Sequence, residues 1–315
     1  MGKVVRIVLF FVIAPSVLIV CAALTWLYWD ANRPLDAYFA ARHGELVETR
    51  TTESTYSGGQ EAHYLALRSD SGLRVSLRVL RKTGPARTLP VLVVLGGHRT
   101  GRDAVDLFAD AGDKAVVAID YPYDGPEKIH GIRETVRTVP LARKALIDTP
   151  PAVSLSIDWI LEQEWADPQQ VVIVGASLGV PFAAISAALD RRISGAILVH
   201  GAADNLSWLE AQLARRISNK VLHRPLATVI HWLAYGPTFN TATNVAKISP
   251  RPVVIIGARE DERTPAGQTE ALYAAAGQPK LLRWTAGQHI EPGRGDVIAE
   301  LLEIADEVLP FSAEN

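Results

Sequence analysis

The stretch Val171-Val172-Ile173-Val174-Gly175-Ala176-Ser177-Leu178-Gly179-Val180-Pro181 decides the fold. Its first four residues are apolar and β-branched, as in a strand covered on both faces. Then comes G-x-S-x-G, and an apolar helical stretch starts at Leu178. A serine on so sharp a strand-to-helix turn points its oxygen out of the sheet. The turn strains the backbone and crowds the positions two before and two after, so Gly175 and Gly179 form the elbow. The helix N-terminus behind it offers N–H groups and a positive dipole end to a developing oxyanion. Pro181 falls in the first helical turn, where a missing N–H costs little. Glycine and serine are common in loops, so a plain turn has the same letters. The strand before and the helix after favour a nucleophile at Ser177.

Outward from this stretch, similar runs recur at Val91–Leu95, Ala115–Ile119, Ala196–Val199, Val253–Ile256 and Leu281–Trp284. Helical stretches at Arg102–Ala111, Ser154–Glu164, Leu178–Leu189, Gly267–Ala276 and Val297–Leu309 lie among them. The alternation predicts a doubly wound α/β fold with a mostly parallel sheet. Ahead of it, Leu46 to Val79 is strand-like, with Leu73, Val75, Leu77 and Val79 alternating with Arg74, Ser76 and Arg78. The turn chemistry of Ser69-Asp70-Ser71-Gly72 predicts an antiparallel hairpin, whose strands form one edge. Two connections are long. The first carries Asp124-Gly125-Pro126 and a helical piece near Arg133–Leu146; the second, about residues 201–250, holds Trp208, Leu222, Leu226, Ile230 and Trp232 at roughly helical spacing. An insertion of that kind is either a lid or an ordinary sheet-covering helix.

A nucleophilic serine in this setting is followed along the chain by an acid and then a histidine. The loop after Val253–Ile256 reads Gly257-Ala258-Arg259-Glu260-Asp261-Glu262-Arg263-Thr264-Pro265, where three carboxylates compete for the orienting role. After Leu281–Trp284 comes Thr285-Ala286-Gly287-Gln288-His289, and His289 is the last histidine in the chain. A surface loop histidine is the bland alternative. Gly96-Gly97-His98 closes the run Val91–Leu95, and glycines there let backbone N–H groups approach a substrate carbonyl.

Taken in order, these motifs resemble the α/β-hydrolase superfamily, in its esterase, dienelactone-hydrolase-like and peptidase-like group, over roughly Leu46 to Leu309. The resemblance implies that Asp261, four residues before Pro265, is the acid, which leaves Glu260 and Glu262 as solvated charges. It places Gly96-Gly97-His98 after the third strand. Many members have His-Gly where this chain has Gly96-Gly97, so the oxyanion donors fall at the N–H of Leu178 and of His98, with Gly97 second. A serine at the elbow argues against the dehalogenase and epoxide hydrolase chemistry of aspartate members. The implied function is hydrolysis of a carboxylic ester by a Ser177–His289–Asp261 triad, with no metal and no organic cofactor. A peptidase, a thioesterase, an acyltransferase or a non-catalytic membrane-tethered binding module are the alternatives on this fold. The apolar insertion fits a small-molecule ester or acyl substrate.

At the N-terminus, residues 7–29 carry no charged side chain. As a helix this run spans about 34 Å, enough to cross a bilayer. Trp26, Tyr28 and Trp29 close it where aromatic rings favour the headgroup level. Residues 1–30 are therefore expected to be a transmembrane anchor, with a signal peptide cleaved near Val20-Cys21-Ala22 as the competing reading. Residues 31–45 read as a short helix or tether, and 46–310 as the hydrolase-like domain. Lys3, Arg6 and the amino group, against Arg33 and Arg42, orient a single-pass protein with its catalytic domain extracytoplasmic; cleavage would make it secreted or periplasmic. The chain's 315 residues are 48% hydrophobic, enough for a large core, and 32 Lys and Arg against 34 Asp and Glu leave no basic field for nucleic acid. A single cysteine excludes disulfide frameworks within the chain and cysteine-based metal sites.

Overall fold

Nine strands form one sheet among the described residues: β1 (Leu46–Ser57), β2 (Gln60–Ser69), β3 (Arg74–Lys82), β4 (Leu89–Leu95), β5 (Ala115–Ile119), β6 (Ala166–Ala176), β7 (Gly195–Val199), β8 (Val253–Ala258) and β9 (Lys280–Thr285). The computed structural model describes residues 13–84, 88–97, 100–108, 110–264, 266–291 and 295–308. The spatial order is β1-β2-β3-β5-β4-β6-β7-β8-β9. β4 to β9 run parallel, and β1, β2 and β3 add an antiparallel edge.

The helices are α1 (Ala14–Asn32), α2 (Asp36–His43), α3 (Gly131–Leu161), α4 (Gly179–Leu189), α5 (Asn205–Ala214), α6 (His223–Leu233), α7 (Thr241–Val245), α8 (Ala266–Ala275) and α9 (Gly295–Val308). Helices other than α1 cover both faces of the sheet, which is why the central strands are apolar without alternation. Val91, Val93 and Leu95 pack with Leu155 and Ile157 of α3 and Ala183 of α4. Leu92 and Val94 point the other way, to Val105, Phe108 and Ile298. β3 alternates as its pattern requires, with Val75, Leu77 and Val79 buried.

Three expectations change. The glycine loop follows the fourth strand, not the third, because Gly58-Gly59 makes a second turn and divides the early strand region further. Both glycines have positive φ, +60° and +76°. The expected helix at Arg102–Ala111 is a 3-10 turn, Gly101–Leu107, whose Arg102 N–H donates to the Asp120 carboxylate at 2.7 Å. The pieces at Arg133–Leu146 and Ser154–Glu164 are one helix, α3. It continues through Pro140, Pro150 and Pro151, each of which removes a helical N–H. Pro150 and Pro151 are buried along with Ala152, Val153 and Leu155, so packing on the sheet outweighs the local cost.

The stretch between α1 and the sheet is docked. Leu35 and Phe39 join the core. Tyr38 and Arg42 of α2 donate to Asp148 of α3, Arg42 through two bonds of 3.0 Å. The segment 201–250 holds α5, a 3-10 turn at Lys220–Leu222, α6 and α7. α1 has 19 residues with mean hydropathy 1.4, and by length and composition alone it could cross a membrane.

Candidate active site

The chain passes from β4 outward to β5 and then returns to β6 on the other flank of β4. Loops leaving β4 and β6 therefore diverge, which opens a crevice at the carboxyl ends of these strands. Gly97 stands at one side of it and Ser177 at the other. A Cβ on Gly97 would lie 3.6 Å from Ser177 Cβ.

Ser177 has φ +53°, a left-handed conformation that a non-glycine residue rarely adopts. Its N–H donates to Val199 O (2.9 Å), and its carbonyl accepts from Val180 N (3.1 Å), so the reversal is held from both sides. The flanking glycines are explained by close approach. A Cβ on Gly175 would meet Ala183 Cβ at 2.6 Å, and one on Gly179 would meet Leu95 O at 2.0 Å. Leu178 follows at the N-cap of α4, where the helix has no acceptor for its N–H.

Asp261 and His289 reach Ser177 because β8 and β9 stay paired past their ends. Arg259 N donates to Thr285 O (3.1 Å), and Glu260 N to Gly287 O (3.0 Å). His289 Nδ1–H then donates to Asp261, 2.9 Å from Oδ2 and 3.0 Å from Oδ1. Ser177 Oγ–H donates to His289 Nε2 at 2.7 Å. The Asp261 and His289 side chains are each 2% exposed. Burial pushes the Asp261 carboxyl up, but the bond from His289 and the N–H groups of Thr264 (2.7 Å) and Arg263 (2.8 Å) outweigh it. The net effect holds the carboxyl below its ordinary value, so it stays ionised.

Ser177, Asp261 and His289 are thus brought together, with Gly97 and Leu178 beside the serine. His98 and Pro265 lie outside the described residues. Glu260 is exposed. Glu262, expected to be a solvated charge, also accepts from the His289 N–H (3.2 Å) and so braces the histidine loop.

Two residues at the site escaped the sequence reading. His200, at the end of β7, is 1% exposed with φ +53°. Its Nδ1 accepts from Ile290 N (2.8 Å), its carbonyl accepts from Thr264 Oγ1 (3.1 Å), and its Nε2 lies 3.2 Å from Thr285 Oγ1. One residue therefore ties the acid loop to the histidine loop. Tyr121 donates to Gly96 O (2.7 Å) and fixes the glycine loop. Burial raises its hydroxyl pKa, keeping it a neutral donor. A polar residue ending an apolar strand run was the available signal for both: His200 after Val199, and Asp120-Tyr121 after Ile119.

Donor atoms of His200, Asp261 and His289 lie within 4.8 Å of one another, a spacing that could hold a metal ion. These atoms are engaged, however. An ion would displace the Ile290 N–H from His200 and divide the Asp261–His289 pair.

No protein-family model matches the chain, and no curated protein matches it. Solved structures do. An acetyl xylan esterase from a Paenibacillus species superposes with TM-score 0.64 at 16% identity, over 86% of this chain and 94% of that one. A glucuronoyl esterase from Solibacter usitatus gives 0.55 at 13%, over 87% and 91%. An alpha/beta hydrolase from a Penicillium species gives 0.55 at 16%, over 79% and 99%. At such identities the likeness is one of fold, and the fold is that of the α/β hydrolases.

Proposed function

We propose that this chain is a membrane-anchored serine hydrolase that cleaves a carboxylic ester through an acyl-enzyme. The observation that carries the reading is the unbroken hydrogen-bonded line from Ser177 Oγ through both ring nitrogens of His289 to Asp261. Ser177 Oγ attacks the ester carbonyl carbon as its proton passes to His289 Nε2. Asp261 keeps the imidazole in the tautomer that accepts at Nε2 and stabilises the imidazolium. The oxyanion takes hydrogen bonds from the N–H of Leu178 and from His98, with Gly97 second; losing one such donor costs about 3 kcal/mol of transition-state stabilisation. His289 returns the proton to the leaving alkoxide. Water, deprotonated by the same imidazole, then attacks the acyl carbonyl and frees Ser177.

Ester is favoured over amide or thioester because proteins sharing the fold carry esterase names. The apolar residues of the 201–250 insertion favour a small-molecule ester with a hydrophobic part. Residues 1–30 form the anchor and 46–310 the catalytic domain, which stands on the extracytoplasmic side. The length of α1 and the exposure of nearly all its described side chains support the anchor.

A fluorophosphonate probe tests the chemistry. The adduct maps to Ser177 and disappears in Ser177→Ala. A folded protein that stays unlabelled overturns the enzyme reading and leaves a binding module on a hydrolase fold. Carbonate extraction tests the anchor: the full-length chain stays with the membrane pellet, and its release overturns the span.

A further inference from the structure

The last turns of α1 are held by the insertion. Tyr28 lies edge-on to Trp232 of α6, with ring centroids 5.3 Å apart. Asp30 pairs with Arg143 of α3. The same guanidinium donates to the carbonyls of Trp232 (3.4 Å) and Leu233 (2.9 Å) and lies 4.3 Å from the centre of the Tyr235 ring. The helix therefore leaves the domain beside α6. From Ile13 to Trp26 every residue of it is exposed. Trp26 and Trp29, 60% and 65% exposed, mark where rings would sit at a headgroup layer.

α6 and the turn before it carry an exposed apolar ridge close to that exit. Leu222, Leu226 and Ile230 follow one another at four-residue spacing and are exposed, and Val221 at the start is 79% exposed. The opposite side buries Ala227 and His231. Exposed Arg215, Arg216 and Lys220 precede the helix in the chain, and exposed Arg224 lies in its first turn. An aliphatic ridge flanked by cations fits the boundary between acyl chains and anionic headgroups. Behind α6 stands α5, linked to it by the Arg224–Glu210 ion pair. Gln212 of α5 donates to Arg263 O at 3.0 Å, two residues from Asp261.

We infer that α6 and the turn before it rest on the anionic bilayer that α1 enters, and that the insertion delivers membrane-dissolved hydrophobic esters to Ser177. Continuity with the anchor names the occupant of the ridge, since a surface joined to a membrane helix at its exit point meets the same membrane. The inference rests on the anchor and hydrolase readings above, and its test separates all three.

The full chain in a Cys21→Ser background is given one cysteine at a time, Val20→Cys, Leu226→Cys or Thr55→Cys, and each is labelled with an environment-sensitive fluorophore. The proteins are reconstituted in vesicles of phosphatidylcholine and phosphatidylglycerol containing spin-labelled lipid quenchers. Labels at positions 20 and 226 are quenched, and the label at 55, on the far antiparallel edge, is not. A label at 226 that stays in water while the one at 20 is quenched overturns the docking of α6 and spares the anchor. Failure at both overturns anchor and docking together. In kinetics, Leu226→Glu with Ile230→Glu lowers kcat/KM roughly tenfold for a long-chain ester dispersed in those vesicles. Turnover of a short water-soluble ester is unchanged. Equal losses on both esters overturn the delivery role. Absence of turnover on any ester by the unsubstituted chain overturns the hydrolase reading, and the quenching data still judge the docking.

Discussion

Asp261 beside His289 and Asp148 in the seam between α2 and α3 are buried to the same degree, yet they are held by different kinds of partner. Their side chains are 2% and 1% exposed, and both carboxyls are held below their ordinary range against the upward push of burial. Asp148 is held down by Arg42 through two bonds, by Lys144 and by Tyr38. Its charge is cancelled where it stands. Asp261 has an imidazole and two backbone N–H groups, with no cationic side chain among its hydrogen-bond partners. Dipoles keep it ionised without cancelling its charge. In the proposed mechanism its field is available to the imidazolium that forms during reaction. The two carboxylates thus differ in partners, while their burial is alike, and the proposed mechanism uses that difference.

Exchanging each carboxylate for its amide tests the contrast. Asp261→Asn keeps the shape but favours the wrong imidazole tautomer, so kcat on an ester falls about 10⁴-fold. Its melting temperature falls less than that of Asp148→Asn, because no buried cation loses its counter-charge. Asp148→Asn leaves the Arg42 guanidinium without its partner and destabilises the fold by about 3–5 kcal/mol, as for one half of a broken buried pair. Its activity per folded molecule is retained. Kinetics and thermal melts on the two variants decide the matter: an inactive Asp148→Asn that melts normally, or an active Asp261→Asn that melts early, breaks the comparison.

His200 sharpens it further. This residue touches the loops that carry Asp261 and His289, through Thr264 and Ile290, and its ring centroid lies 5.6 Å from that of His289. It acts on geometry, through the position of His289. His200→Ala is expected to lower kcat roughly 10–100-fold with KM nearly constant, the scale of an ångström of misplacement. A KM rise at constant kcat would put His200 in substrate binding instead.

The sequence made the central features legible where one residue type serves one local need. Gly175 and Gly179 are required by contacts with the adjoining helix and with Leu95, and the runs of β6, β7 and β8 are apolar because both faces are covered. The meeting of Ser177, Asp261 and His289 was readable because each lies on the turn or loop that follows a strand. The rest depends on distant partners. The spatial order β3-β5-β4-β6, the uninterrupted run of α3 through Pro150 and Pro151, and the docking of α2 on Asp148 are set by packing between segments up to about a hundred residues apart. His200 escaped notice for the same reason. Its role is defined by Ile290, ninety positions away, and by no motif of its own.

The smallest expected effect is in acid, and it again separates the two aspartates. An unfolded aspartate titrates near about 3.9. Both folded carboxyls lie lower, so between the two values the unfolded chain binds more protons. Their contribution to stability is fully present above about pH 4 and is lost as pH falls through the folded values. Thermal melts should therefore show an acid drop that starts only below about pH 4, and Asp148→Asn should flatten it. An acid drop as large in Asp148→Asn as in the unsubstituted chain would mean that Asp148 does not hold the fold through its charge, and the contrast with Asp261 would fail.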